Sequence, residues 1–289
     1  MVRAGALGDF VVSLPVIAAL IEAGFAVDVV ITARFAPLLP RGVARVLDVG
    51  GAEFLWFYAG QTPPDGLGPW QLGLAFSAAT AEAMRTHGVP EVRLAPALQP
   101  GSPASAQFME MLKSPWLPSS GGAAREFTAR HTPLIAVDVA PVPPGTVLLG
   151  PGAGASAKRW PLTRWKDVAR ALRAQGVGSI VAVRGPEERE EHGWGALGVP
   201  VESPGLGDTA SLAAGAAVWL GPDSGPAHLA AAVGIRVGVV FGPTDATIWA
   251  PPGAHVFDWS ATPEAVAAWV VAERPEAATP PALGTALKP

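Results

Sequence analysis

Cysteine is absent from this 289-residue chain, which excludes disulfide staples and thiolate metal sites. Charge is sparse as well: 15% of the residues are Asp, Glu, Lys or Arg, and the net charge is −4. Without a broad basic field, nucleic acid is not an expected partner, although a local basic cluster is enough to hold a phosphate or an anionic lipid. No apolar run reaches the roughly 18 to 20 residues needed to cross a bilayer. The first residues lack the charged, apolar, small order of a signal peptide. The expectation is a cytoplasmic protein, with room for peripheral contact at the inner face of a membrane. What the chain has in quantity is apolar residues, 49% of the total. That content folds compactly, and the length fits two ordinary domains, each with its own core.

One α/β architecture is written twice. MVRAGALGDFVVSLPVIAALIEAG predicts a strand end, a glycine turn and a helix from about Phe10 to Glu22, stopped by Gly24. Only two residues precede Arg3, so the strand feeding that turn is unusually short, as if the start were clipped. AVDVVI, ARVLDV, WQLGLAFS and EVRLAP read as further strands, with ARFAPLL a helical turn and TAEAMRTHG a helix between them. This is the rhythm of a doubly wound sheet. The pattern weakens from Gln99 to Arg130, where AQFMEMLK predicts a short helix, and the proline-rich stretch from His131 to Thr146 reads as a linker.

The second copy opens at VLLGPGAG and continues through RWKDVARALRAQG, SIVAVRG and DTASLAAGA. The predicted divisions are 1–140 for a first Rossmann-like domain, 145–258 for a second, 259–274 for a helix returning to the first domain, and 275–289 for a disordered tail. Trp56, Phe57 and Tyr58 are expected in the core of the first domain rather than on a membrane surface.

Three turns carry the candidate chemistry. In GPDSGPAHLAAAVGIRVGVVFGPTD, Asp223, Ser224, Gly225 and Pro226 precede an alanine-rich helix containing Ala227 and His228. The unpaired N–H groups of such a helix start and its dipole favour a phosphate. Gly234 closes the helix, and the following strand ends in Gly242, Pro243 and Thr244. His228 reads equally as a phosphate contact or a structural histidine.

The first turn, RAGALGD, includes Gly8 and lacks the dinucleotide fingerprint. Asp9 there is either a helix-start acid favoured by the dipole or a general base facing a cleft, and Arg3 either pairs with it or binds an acceptor anion. The turn GPGAGASAKRWP holds Gly152, Ser156, Lys158 and Arg159; amides and an ammonium together suit a diphosphate, although the P-loop pattern is not met. Its alternative is a solvated Lys158 and Arg159 beside a core Trp160. Glu187 follows a strand end and suits a ribose hydroxyl, whereas Glu188 to Glu191 read better as a solvated helix start. Neither a DxD sequence nor a His and carboxylate set at metal-ligand spacing occurs, so divalent-metal chemistry is not expected.

Taken together, GALGDFVVSLPVI, GPGAGASAKRWP, RGPEE and GPDSGPAHLAAAVGIRVGVVFGPTD resemble glycosyltransferase family 9, the ADP-heptose:lipopolysaccharide heptosyltransferase family. The resemblance implies a GT-B fold, two facing Rossmann-like parallel-sheet domains around a cleft, with the donor on the second domain and the acceptor on the first. It implies inverting, metal-independent transfer and no cofactor; the nucleotide-diphosphate sugar, ADP-linked by this resemblance, is a co-substrate, and the acceptor is a glycan or glycolipid. By matching position Asp9 is the base, Lys158 the diphosphate lysine, and Glu187 the ribose or sugar contact. The run from Asp223 to His228 is the phosphate loop, and Gly242, Pro243 and Thr244 form the turn near the nucleotide. Where some members place hydroxyls before the lysine, this chain has Ala153 and Gly154, leaving Ser156 and main-chain amides. A GT-B-like sugar-nucleotide epimerase and a non-catalytic nucleotide-sugar-binding homologue are the alternatives.

Overall fold

Short β-branched runs bounded by glycine and proline form strands, and the alanine- and leucine-rich stretches between them form helices. The computed structural model describes residues 1–64, 66–112, 134–188 and 191–272. The expected tail and much of the region between the two α/β copies lie outside these residues.

The first sheet contains β1 (Val2–Arg3), β2 (Val27–Ile31), β3 (Val43–Asp48), β4 (Leu72–Ala75) and β5 (Glu91–Leu94). Its order is β3-β2-β1-β4-β5, with every pairing parallel. Helices α1 (Leu7–Val11), α2 (Leu14–Glu22), α3 (Leu55–Tyr58), α4 (Ala78–Thr86) and α5 (Ala104–Met109) accompany it. The two-residue β1 sits at the centre of its sheet, paired on both sides.

The second sheet contains β6 (Val147–Leu149), β7 (Ile180–Val183), β8 (Val201–Glu202), β9 (Val218–Pro222), β10 (Arg236–Phe241) and β11 (His255–Asp258). Its order is β11-β10-β9-β6-β7-β8, again all parallel. Its helices are α6 (Leu162–Ala174), α7 (Leu206–Gly215), α8 (Gly225–Ala232), α9 (Ala246–Trp249) and α10 (Pro263–Ala272). In both sheets the winding reverses beside the first strand, between β1 and β4 and between β6 and β9. Ligands of open α/β sheets bind beyond the carboxyl ends of strands at such a reversal, and the turns after β1, β6 and β9 all lie there.

Two expectations are corrected. The single helix from Phe10 to Glu22 is two helices, because Pro15 has no N–H for the carbonyl one turn earlier; Ser13 Oγ instead donates to Phe10 O at 2.7 Å in the break. The helix expected to return to the first domain stays with the second. Val266, Ala267 and Val270 of α10 are fully buried in one cluster with Trp165, Val168 and Leu172 of α6, because its apolar stripe finds the matching stripe of α6. Trp56 and Phe57 are buried as expected, while Tyr58 is half exposed.

A single apolar cluster joins the two halves, running from Phe10, Leu14 and Phe35 to Trp219, Leu229 and Val239. Within it α1 lies against the start of α8. A Cβ on Gly225 would stand 2.7 Å from Leu7 Cβ and 3.0 Å from Gly8 N, so the bare α-carbon at 225 is what lets the two turns touch.

Candidate functional site

Between the sheets lies a cavity of about 380 Å3. Ala6, Leu7, Gly8, Arg34 and Phe35 line it from the first sheet; from the second come the turns after β6, β7 and β8 and the start of α8. Of the residues singled out in the sequence, Gly8, Gly152, Glu187, Gly225 and Pro226 line this cavity. The others do not. Lys158, His228 and Thr244 gather around Asp223 instead, and His228 joins that group to the cavity edge, its Cδ2 lying 3.5 Å from where a Gly8 Cβ would stand. Ser156 is exposed in the short turn Ser156–Lys158, and Ala227 is buried in α8. Gly242 and Pro243 precede Thr244 on the exposed turn after β10.

Asp223, 5% exposed, is the hub of the second group. Lys158 Nζ donates to its Oδ2 at 2.8 Å and Thr244 Oγ1 at 2.7 Å. His228 Nε2 stands 3.8 Å from Oδ1, long for a hydrogen bond but close enough for its field to act. Burial works to raise the pKa of Asp223, but His228, Lys158 and Thr244 together outweigh it and hold the carboxyl at about 2 rather than 3.8. A depressed folded pKa contributes stability that is complete above the unfolded value and is lost as pH falls through the folded one. Melting curves of the native protein should therefore lose on the order of 2 kcal/mol between about pH 5 and pH 2 through this group, a loss absent from Asp223→Asn.

Ser224 precedes α8 in the N-cap position with an extended backbone, yet its side chain caps nothing. Its Oγ is buried without a hydrogen-bond partner among the described residues. A stranded buried hydroxyl costs about 1–3 kcal/mol, and here it sits at the positive end of an eight-residue helix beside the Gly225 N–H, while the Ala227 and His228 N–H groups donate to Ser224 O at 3.1 and 3.3 Å.

Glu188 departs from its expected solvated role. It is 3% exposed and lines the cavity, and its Oε1 lies 3.2 Å from the Arg159 guanidinium. Burial pushes its pKa up, against the pull of Arg159. The turn Pro186–Glu188 folds its carboxylate under the β6 turn, where a Cβ on Gly152 would stand 2.6 Å from it. Glu187, its neighbour, lines the same cavity but is exposed.

Asp9 lies in the first turn of α1, its side chain 38% exposed, with Oδ1 3.3 Å from Arg3 NH2. Arg3 is 9% exposed and donates through Nε to Asp9 O at 3.0 Å. Its guanidinium lies over the rings of Phe76 at 4.4 Å and Phe108 at 5.4 Å. The carboxylate thus has one face fixed by a caged cation and another open to solvent.

Residues 117–267, just over half of the chain, match the model of glycosyltransferase family 9 (heptosyltransferase). The chain belongs to that family. Among solved structures, the glycosyl transferase family 9 from Veillonella parvula DSM 2008 superposes with a TM-score of 0.71 at 14% identity, covering 89% of this chain and 84% of that one. E. coli heptosyltransferase WaaC with ADP gives 0.66 at 18% identity, covering 94% and 98%. E. coli ADP-heptose lps heptosyltransferase II gives 0.63 at 17% identity, covering 94% and 97%. No curated protein matches in sequence. The likeness in structure fixes the fold of this family 9 glycosyltransferase as GT-B, and its two parallel sheets of the same strand order are the two Rossmann-like halves. None of its described helices is long and apolar enough to cross a membrane.

Proposed function

We propose that this glycosyltransferase moves a sugar of the heptose class from an ADP-linked donor to a glycan or glycolipid hydroxyl, with inversion and without a metal ion. The donor is held by the second α/β half and the acceptor by the first. The choice of ADP follows the nucleotide bound in the similarly folded WaaC. Asp9 takes the proton of the acceptor hydroxyl while that oxygen attacks the anomeric carbon from the face opposite the nucleotide. The bond from that carbon to the diphosphate breaks, and its electron pair leaves with the phosphate oxygen. Lys158 and the main-chain N–H groups of Ser224 and Gly225 receive the charge that develops, since Pro226 has no N–H and Ala227 and His228 donate theirs to Ser224 O. Lys158 gives one of its three N–H donors to Asp223 and is 29% exposed, which leaves donors for the phosphate. Gly8, Gly152 and Pro226 shape the wall, Ser156 and the turn Gly242 to Thr244 border the phosphate group, and Glu187 and Glu188 face the ribose hydroxyls.

The observation that carries this reading is the stranded Ser224 hydroxyl at the start of α8. A phosphate oxygen is the partner it lacks. Ser224→Ala should therefore act with opposite signs on two measurements: the ligand-free protein gains about 1 kcal/mol of stability, and affinity for ADP falls about 5- to 20-fold. Melting curves and titration calorimetry read both. Unchanged ADP affinity in the variant would sink the phosphate-loop assignment.

A further inference from the structure

We infer that Arg34, on the wall supplied by the first sheet, covers the nucleobase of the donor, stacking its guanidinium on the base against the turn after β8. The inference rests on the donor reading above and places a part of the donor, the base, that reading leaves unassigned. The carboxyl ends of the second sheet follow one another as β9, β6, β7 and β8. Four neighbouring strand ends span about 14 Å, the reach of an extended nucleoside diphosphate. Main-chain amides and the stranded hydroxyl come after β9 and β6, and the carboxylates Glu187 and Glu188 come after β7. After β8 come Pro204, Gly205 and Leu206, which line the cavity with little polarity. A diphosphate on the amides and a ribose on the carboxylates leave the base over this apolar end.

The opposite wall there belongs to the first sheet's half. The short turn Ala33–Leu38 follows β2 and packs on α7, with Pro37 Cβ 3.6 Å from where a Gly207 Cβ would stand. Phe35 anchors it, fully buried and stacked on Phe10 at 5.1 Å. Arg34 is exposed beside it and lines the cavity. Its guanidinium lies 5.2 Å from the Phe35 ring and has no hydrogen bond or ion pair among the described residues. A planar cation at the edge of an apolar slot, held over one ring and free on its other face, suits the face of a heterocyclic base. Such a subsite also makes donor binding depend on both halves of the fold.

The test is calorimetric titration of the full chain with ADP, GDP, UDP and dTDP, and competition with pyrophosphate, for the native protein, Arg34→Ala and Arg34→Lys. Arg34→Ala should weaken the preferred nucleotide about 3- to 20-fold. Pyrophosphate affinity should not change. Arg34→Lys, which keeps the charge and loses the plane, should fall with the alanine variant. Native-like nucleotide affinity in either variant, or an equal loss for pyrophosphate, would overturn the assignment, the latter by showing a grip on phosphate. If the native protein binds none of the four nucleotides, the donor reading itself fails and takes this subsite with it; matching melting curves exclude misfolding as the cause of any loss.

Discussion

Asp9→Asn should lower the transfer rate by about 100- to 10,000-fold, the range that a positioned general base contributes, while donor affinity stays within about twofold of native. The substitution keeps the size of the side chain and an oxygen facing Arg3, which holds the turn both through Asp9 Oδ1 at 3.3 Å and through the Asp9 carbonyl at 3.0 Å. Geometry is therefore retained and only the basic lone pair is lost. The 38% exposure of the side chain leaves an approach for an acceptor from the open side, since Asp9 stands outside the lining of the donor cavity. A transfer assay beside donor calorimetry separates the two effects. Full turnover in the variant would refute the base assignment. Products formed from donor alone, in the absence of any acceptor, would point to an epimerase, and donor binding without turnover over a broad acceptor panel would point to a binding protein.

Much of this arrangement is legible from residues alone. The turn from Gly221 to Asp245 announces itself because a strand end, capping-type residues, Pro226 and an alanine-rich helix follow one another locally, and each is a short-range signal. The repeated strand and helix rhythm likewise gives two doubly wound sheets. The misses are non-local or finely balanced. The break between α1 and α2 is hidden by continuous apolar periodicity through Val11, Val12 and Leu14, which outweighs the one missing N–H of Pro15. The apolar stripe of α10 says that the helix is buried but not which half receives it; only the matching stripe of α6 decides that. Glu188 looks like one acid in a charged run, and its burial depends on the bare α-carbon of Gly152 on a different strand's turn, where a Cβ would stand 2.6 Å from the carboxylate. Asp223 reads as a capping-type residue, whereas three side chains brought by three separate elements make it the hub of the site.

That hub makes Lys158→Ala a compound lesion with a separable outcome. Losing the ammonium removes the charge that meets the departing diphosphate, and the expected cost is about 100- to 1,000-fold in turnover together with weaker donor binding. It also strips Asp223 of the ammonium held at 2.8 Å and leaves a 5% exposed carboxylate with Thr244 and with His228 at 3.8 Å. An uncompensated buried charge destabilises the ligand-free fold, though by less than a fully buried pair would, since Lys158 is 29% exposed. The double variant Lys158→Ala with Asp223→Asn distinguishes the two consequences, because the neutral amide needs no cation. Its melting temperature should recover towards the native value while turnover and donor affinity remain low. If turnover recovers along with stability, Lys158 serves only to neutralise Asp223, and the leaving diphosphate must find its positive charge elsewhere.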